Sequence, residues 1–95
     1  MFFLDLTYQK PLTEVERYLD EHNQYLEKHY QSGNFICSGR KNPRIGGVIL
    51  CQFDSLDEVK TIIQEDPFLL HGIANYQITE FCPTKAAAKY NDFLS

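Results

Sequence analysis

The sequence predicts an α+β fold in which four antiparallel strands form one sheet and two helices pack on one of its faces. Three observations carry that prediction. The chain opens on an alternating apolar segment, Phe2 to Tyr8. The stretch from Thr13 to Gly33 reads as one long amphipathic helix, with Leu12, Val15, Leu19, His22, Leu26 and Tyr30 recurring at steps of three and four. Beyond Gly33 the chain reads as strand, strand, helix, strand, so the whole order is βαββαβ.

Each element has its own signal. In the first strand Phe2, Leu4, Leu6 and Tyr8 share one face, and Phe3, Asp5 and Thr7 share the other, mixed one. Lys10-Pro11 ends it. Thr13 with Glu16 has the spacing of a capping box at a helix start, and Gly33 suits the left-handed position after the last turn. Asn34 to Ser38 and Val48 to Phe53 read as the second and third strands. The Pro- and Gly-rich stretch Gly39 to Gly47 between them predicts a hairpin connection longer than two residues. Ser55 with Glu58 marks a second capping box, followed by an apolar face of Leu56, Val59, Ile62 and Ile63. Pro67 is expected to end that helix, since the residue before a proline leaves the helical region. Ala74 to Phe81 supplies the fourth strand, and Thr84 is a candidate cap for a short tail helix, KAAAKY.

This order is the split βαβ, ferredoxin-like arrangement, whose crossovers put both helices on the same side of the sheet. The other face then has no cover from its own chain. The simplest cover is a second copy, giving a symmetric homodimer.

Ninety-five residues suit a single domain, 1–95, with its core in 2–81 and a tail over 82–95. A hydrophobic share of 43% and a charged share of 23% mark a globular chain rather than a disordered one. The net charge is −4, and no basic cluster is denser than Arg40, Lys41 and Arg44, which argues against nucleic acid or an anionic membrane as partner. No apolar run approaches the roughly 20 residues of a membrane span. The N-terminal segment carries Asp5 and no basic leader, so no secretory signal is expected. Three cysteines, Cys37, Cys51 and Cys82, lack CxxC spacing and are odd in number, so reduced thiols in the cytoplasm are expected. Cys37 and Cys51 would face each other if the turn centred on Arg44, as a buried thiol pair rather than a redox couple.

Three residues are candidates for chemistry. His22 stands on the helix stripe where the pattern calls for leucine, and an ionisable side chain there needs a partner. It is either a core histidine bonded to a carbonyl or a general acid/base at the mouth of a helix–sheet cavity. Asp66 follows the apolar stripe of the second helix, in a last turn where the helix dipole disfavours a carboxylate. It is either a turn acid before proline or a side chain pointing inward toward His22, where it would orient the imidazole. Arg44, in the Pro/Gly loop, is either a solvated arginine or a clamp for a carboxylate or phosphate. Other chemistries find no support. His22 and His29 lie seven residues apart, about 10 Å along a helix, too far to share one ion, and no zinc spacing, P-loop, dinucleotide fingerprint or serine-hydrolase elbow is present. No metal and no cofactor is therefore expected.

The set His22, then Ser38-Gly39-Arg40-Lys41-Asn42-Pro43-Arg44, then Gly46-Gly47, then Asp66-Pro67-Phe68 resembles the YciI-like (YCII-related) family in order and spacing from Phe2 to Phe81. The resemblance implies a dimeric α+β barrel, two ferredoxin-like sheets packed face to face. It implies a histidine–aspartate active-site dyad, here His22 and Asp66, with Arg44, Gly39, Pro43 and Phe68 on the substrate side. Where the family often has proline after the loop's first glycine, this chain has Arg40. One branch of the family resembles dehydrochlorinases of chlorinated hydroquinones, and the wider superfamily includes muconolactone isomerases and small monooxygenases. The function so implied is cofactor-independent acid/base chemistry on a small organic acid or cyclic compound: elimination, isomerisation or hydrolysis. The alternatives are a non-catalytic small-molecule-binding or accessory protein, and an interaction module in which the polar stripe positions are incidental.

Overall fold

The computed structural model describes residues 1–94. The central strand is β1, Phe2–Tyr8, whose alternation buries Phe2, Leu4 and Leu6. It is flanked by β3 (Gly46–Cys51) and β4 (Ala74–Glu80), and β2 (Phe35–Arg40) pairs with β3 at the edge. The strand order is thus β2-β3-β1-β4, and every pairing is antiparallel. Helices cover one side of the sheet, so the α+β, ferredoxin-type fold expected from the element order is the fold observed. The register sets Leu4 opposite both Ile49 and Ile78 on the covered face. Burying a side chain such as Leu4 or Phe2 contributes about 1.5–3 kcal/mol each.

Thr7 pairs with Gly46, and a Cβ on Gly46 would lie 1.8 Å from the Leu6 carbonyl oxygen, so only glycine lets β3 approach β1 there. The β2–β3 connection covers 41–45 and is closed by Lys41 N–H donating to the Gly46 carbonyl at 2.9 Å. Cys51 stands opposite Phe35, whereas Cys37 stands opposite Leu50. Cys51 is buried and Cys37 exposed, so the two thiols do not face each other as expected. The pairing of Ser38 with Ile49 and Gly39 with Val48 centres the hairpin between Pro43 and Arg44 rather than on Arg44, which is the reason.

The helices depart from the expected pair in instructive ways. The first is two helices, α1 (Leu12–Arg17) and α2 (Leu19–Gln31), separated at Tyr18. No proline or glycine breaks it; the Tyr18 ring stacks on His71 at 4.4 Å, a contact made 53 residues away in sequence (71 − 18). The Thr13–Glu16 capping box does not form, because the helix begins two residues earlier than that box requires, after Pro11, and the Glu16 carboxylate is bonded to Arg44 instead. At the other end Gly33 adopts φ +84°, the left-handed stop anticipated from sequence. The buried stripe of α2 is His22, Tyr25 and His29, rotated from the Leu19–Leu26 line.

The Ser55–Glu58 cap is present, with Ser55 Oγ accepting from the Glu58 N–H at 3.2 Å. It opens α3 (Leu56–Ile62), which tightens into a 3-10 turn over Ile63–Glu65. Pro67 does not simply end this helix. It begins a new one, α4 (Pro67–Leu70). In the tail, Thr84 caps nothing: a short 3-10 helix covers Ala88–Phe93, and Ala87 precedes it.

The face away from the helices carries Phe3, Val48 and Leu50, together with Asp5, Thr7 and the β4 side chains Asn75, Gln77 and Thr79. It is mixed, as β1 alone predicted. Asp5 is held there by the Lys41 ammonium at 2.5 Å.

Candidate active site

The site is assembled where α2 crosses the start of α4. Asp66 has extended backbone (φ −79°, ψ 118°), the conformation that a following proline imposes. That geometry makes it the N-cap of α4, with Oδ1 accepting from the Phe68 N–H at 2.9 Å. Asp66 does end the turn Ile63–Glu65, as expected, but it also opens α4, so the expected conflict with the dipole is corrected: its side chain caps a helix N-terminus, where a carboxylate is favoured.

About one turn into α2, His22 is 8% exposed and points at the same carboxylate. Its Nδ1 lies 2.8 Å from Asp66 Oδ1. Its ring stacks on Phe68 with centroids 4.0 Å apart and planes 5° from parallel. The other carboxylate oxygen, Oδ2, accepts from the Tyr76 hydroxyl at 2.5 Å. Asp66 is completely buried and meets three donors. With the Phe68 N–H and Tyr76 hydroxyl donating to it, the carboxylate is an acceptor, and His22 Nδ1 is the donor toward it. Behind this pair the Tyr25 hydroxyl lies 3.3 Å from that of Tyr76. Burial pushes the ionisation of both tyrosines well above the ordinary phenol range, so both remain neutral donors.

His22 and Phe68 form one end of a cleft of about 240 Å³. Leu6, Leu19, Leu26 and Ile49 supply apolar wall; Asn23, Ser38, Arg40 and Arg44 supply polar groups. Leu19 and Leu26, apolar positions on the helix stripe read from sequence, thus face the cleft and are only partly buried. Arg44 Nη1 donates to Glu16 Oε1 at 3.0 Å. That bond, with the neighbouring Tyr8 hydroxyl, holds the guanidinium protonated above its ordinary range. Gly39 also lines the cleft. Pro43 does not: it lies in the exposed loop, where its carbonyl accepts from the Ile45 N–H at 2.8 Å. Among the described residues no three His, Cys, Asp or Glu side chains converge as a metal site would require.

Sequence reasoning passed over Tyr76, Tyr25 and Glu16. Tyr76 had a signal: it alternates with Ala74 and Ile78 on the covered face of β4, and a tyrosine there must find a partner for its hydroxyl. Glu16 had none, since its partner is 28 residues away.

The YCII-related domain profile matches residues 1–82. No curated protein matches the chain. Among solved structures, the chain is similar in fold to 5-chloro-2-hydroxyhydroquinone dehydrochlorinase from Burkholderia phenoliruptrix, determined in complex with 2,5-dihydroxybenzoquinone. The TM-score is 0.64 and the identity 21%, over 97% of this chain and 100% of that one.

Proposed function

The chain belongs to the YCII-related domain family, and from that premise we propose that it is a cofactor-independent acid/base enzyme acting on a small anionic organic or cyclic compound. The reaction is a proton transfer within an elimination, isomerisation or hydrolysis. His22 Nε2 takes the proton, and Asp66, bonded to Nδ1, orients the imidazole and stabilises the imidazolium that forms. Arg44 binds the anionic end of the substrate, and Gly39 and Phe68 shape the cleft around its ring or chain. The observation that carries this reading is the pairing of His22 with a fully buried carboxylate at the end of a cleft that also holds Arg44. The fold neighbour's small cyclic ligand lends it support. The reading includes a cytoplasmic homodimer, in which the open sheet face, with Phe3, Val48 and Leu50, is covered by a second copy.

The test uses 2,5-dihydroxybenzoquinone, the fold neighbour's ligand, as the first probe. Its ring C–H exchange in heavy water is followed by NMR with wild-type protein and with His22→Gln. Catalysed exchange in the wild type, lost in a variant that still melts normally and still binds, supports the enzyme. Binding without catalysed exchange in either protein favours the rival, a non-catalytic binding or accessory protein using the same cleft.

A further inference from the structure

Resting on the reading of His22 as the proton-transfer group, we propose that Tyr76 is a positioning residue that keeps the His22 proton on Nδ1 and so leaves Nε2 free as the base. Tyr76 reaches from β4, opposite Leu6 in register, to the far oxygen of Asp66. It touches neither the cleft nor His22, so its influence passes through Asp66.

The reason lies in how a buried carboxyl group shares protons. Asp66 Oδ1 is shared by the Phe68 N–H and the His22 ring, and Oδ2 is met by Tyr76. A backbone N–H always donates. The Tyr76 hydroxyl has one proton, and the carboxylate at 2.5 Å is a better acceptor than the Tyr25 hydroxyl at 3.3 Å. The Phe68 N–H and the Tyr76 hydroxyl both stabilise the ionised carboxylate, so a proton on the carboxyl group itself is disfavoured. The carboxylate can then only accept from His22, which fixes the proton on Nδ1 and the lone pair on Nε2. Burial keeps Tyr76 protonated, so this restriction holds across the working pH range. Removing the hydroxyl opens Oδ2. The buried carboxylate, short of one donor, is then destabilised: the Nδ1 proton passes to Oδ1, from which it is donated back to the ring, and Nε2 takes up one proton from solvent, so that it no longer serves as a base.

Ring packing alone makes a different prediction, because phenylalanine preserves it. The experiment is heteronuclear NMR of the histidine ring nitrogens in the wild type, Tyr76→Phe and Tyr25→Phe. The wild type should show His22 in one form, proton on Nδ1. Tyr76→Phe should lose that single signature and show both tautomers or mainly the Nε2-protonated one. Tyr25→Phe, which touches Asp66 only through Tyr76, should resemble the wild type. An unchanged His22 signature in folded Tyr76→Phe overturns the proposal and leaves the catalytic reading standing. A wild type already protonated on Nε2 overturns both. If Tyr76→Phe does not fold, the wild type still decides: the Tyr76 hydroxyl proton should resonate far downfield and exchange slowly, as a short bond to a carboxylate requires. Its absence overturns the proposal.

Discussion

His29 Nε2 lies 3.0 Å from Glu65 Oε1, so the residue just before Asp66 holds the histidine two turns beyond His22 on the same helix. Lys28 reaches the same oxygen at 2.8 Å. Adjacent carboxylates, Glu65 and Asp66, thereby fasten the turn before α4 to α2 at two points. The second pair contributes nothing to the cleft, but it limits how far Asp66 can shift from His22.

This clamp has an acid limit. Burial pushes the Glu65 carboxyl upward, but the bonds from Lys28 and His29 outweigh it and hold the group below the ordinary glutamate value. A lowered value in the folded state means the contribution is present above the unfolded value, about 4.3, and is lost as pH falls through the folded one. Glu65→Gln should therefore melt below the wild type near neutral pH. The two melting curves should converge as pH drops from about 5 to about 3. A difference that persists unchanged in acid would show that Glu65 acts through packing.

The close approach of β3 to β1 predicts an asymmetry between two glycines. Gly46→Ala places a methyl group 1.8 Å from a backbone oxygen that cannot rotate away. Urea denaturation should show a loss of roughly 1–3 kcal/mol or more. Gly39→Ala meets nothing within 4 Å and should stay within about 0.5 kcal/mol of wild type.

Thiol labelling reports the two sheet faces. Burial pushes the Cys51 thiol up to about 12, so it should resist a disulfide reagent until the protein unfolds. Cys82 is exposed and should react at once. Cys37 shares the open face with Leu50 and Phe3. In the proposed homodimer its labelling should slow as protein concentration rises. A Cys37 rate independent of concentration, with a monomer by sedimentation, would remove the dimer from the proposal.

In the proposed function Arg44 serves ligand binding and not folding. Its bond to Glu16 is at the surface, with Glu16 60% exposed, and surface pairs contribute little. Arg44→Ala should leave the melting temperature nearly unchanged and weaken binding of an anionic probe about tenfold or more. Arg44→Lys should recover part of that affinity, since lysine returns the charge but not the planar fork. A large fall in melting temperature for Arg44→Ala would assign it to the fold.

The strand order and the face of β1 were legible because alternation is a local property that the sheet simply uses. His22 was legible for the same reason: a polar residue breaking an apolar period announces itself. Asp66 was found, but its setting was misread, because Asp-Pro both ends one helix and starts the next, and only the residues beyond decide. Thr13 and Glu16 matched a capping pattern, yet Arg44, distant in sequence, claimed the glutamate. The split at Tyr18, where the ring stacks on His71, has no local mark at all. What escaped the sequence was settled by contacts between remote segments, and Tyr76 is the one of these that touches the dyad.

Asp66 answers to two selections at once. As the N-cap of α4 it is a folding residue, and as the partner of His22 it is a residue of the site. Asparagine at position 66 would keep the cap on α4 while removing the charge beside His22. Asp-Pro-Phe alone therefore reports architecture, and it is a change at position 22 that would remove the proposed proton transfer while leaving that architecture standing.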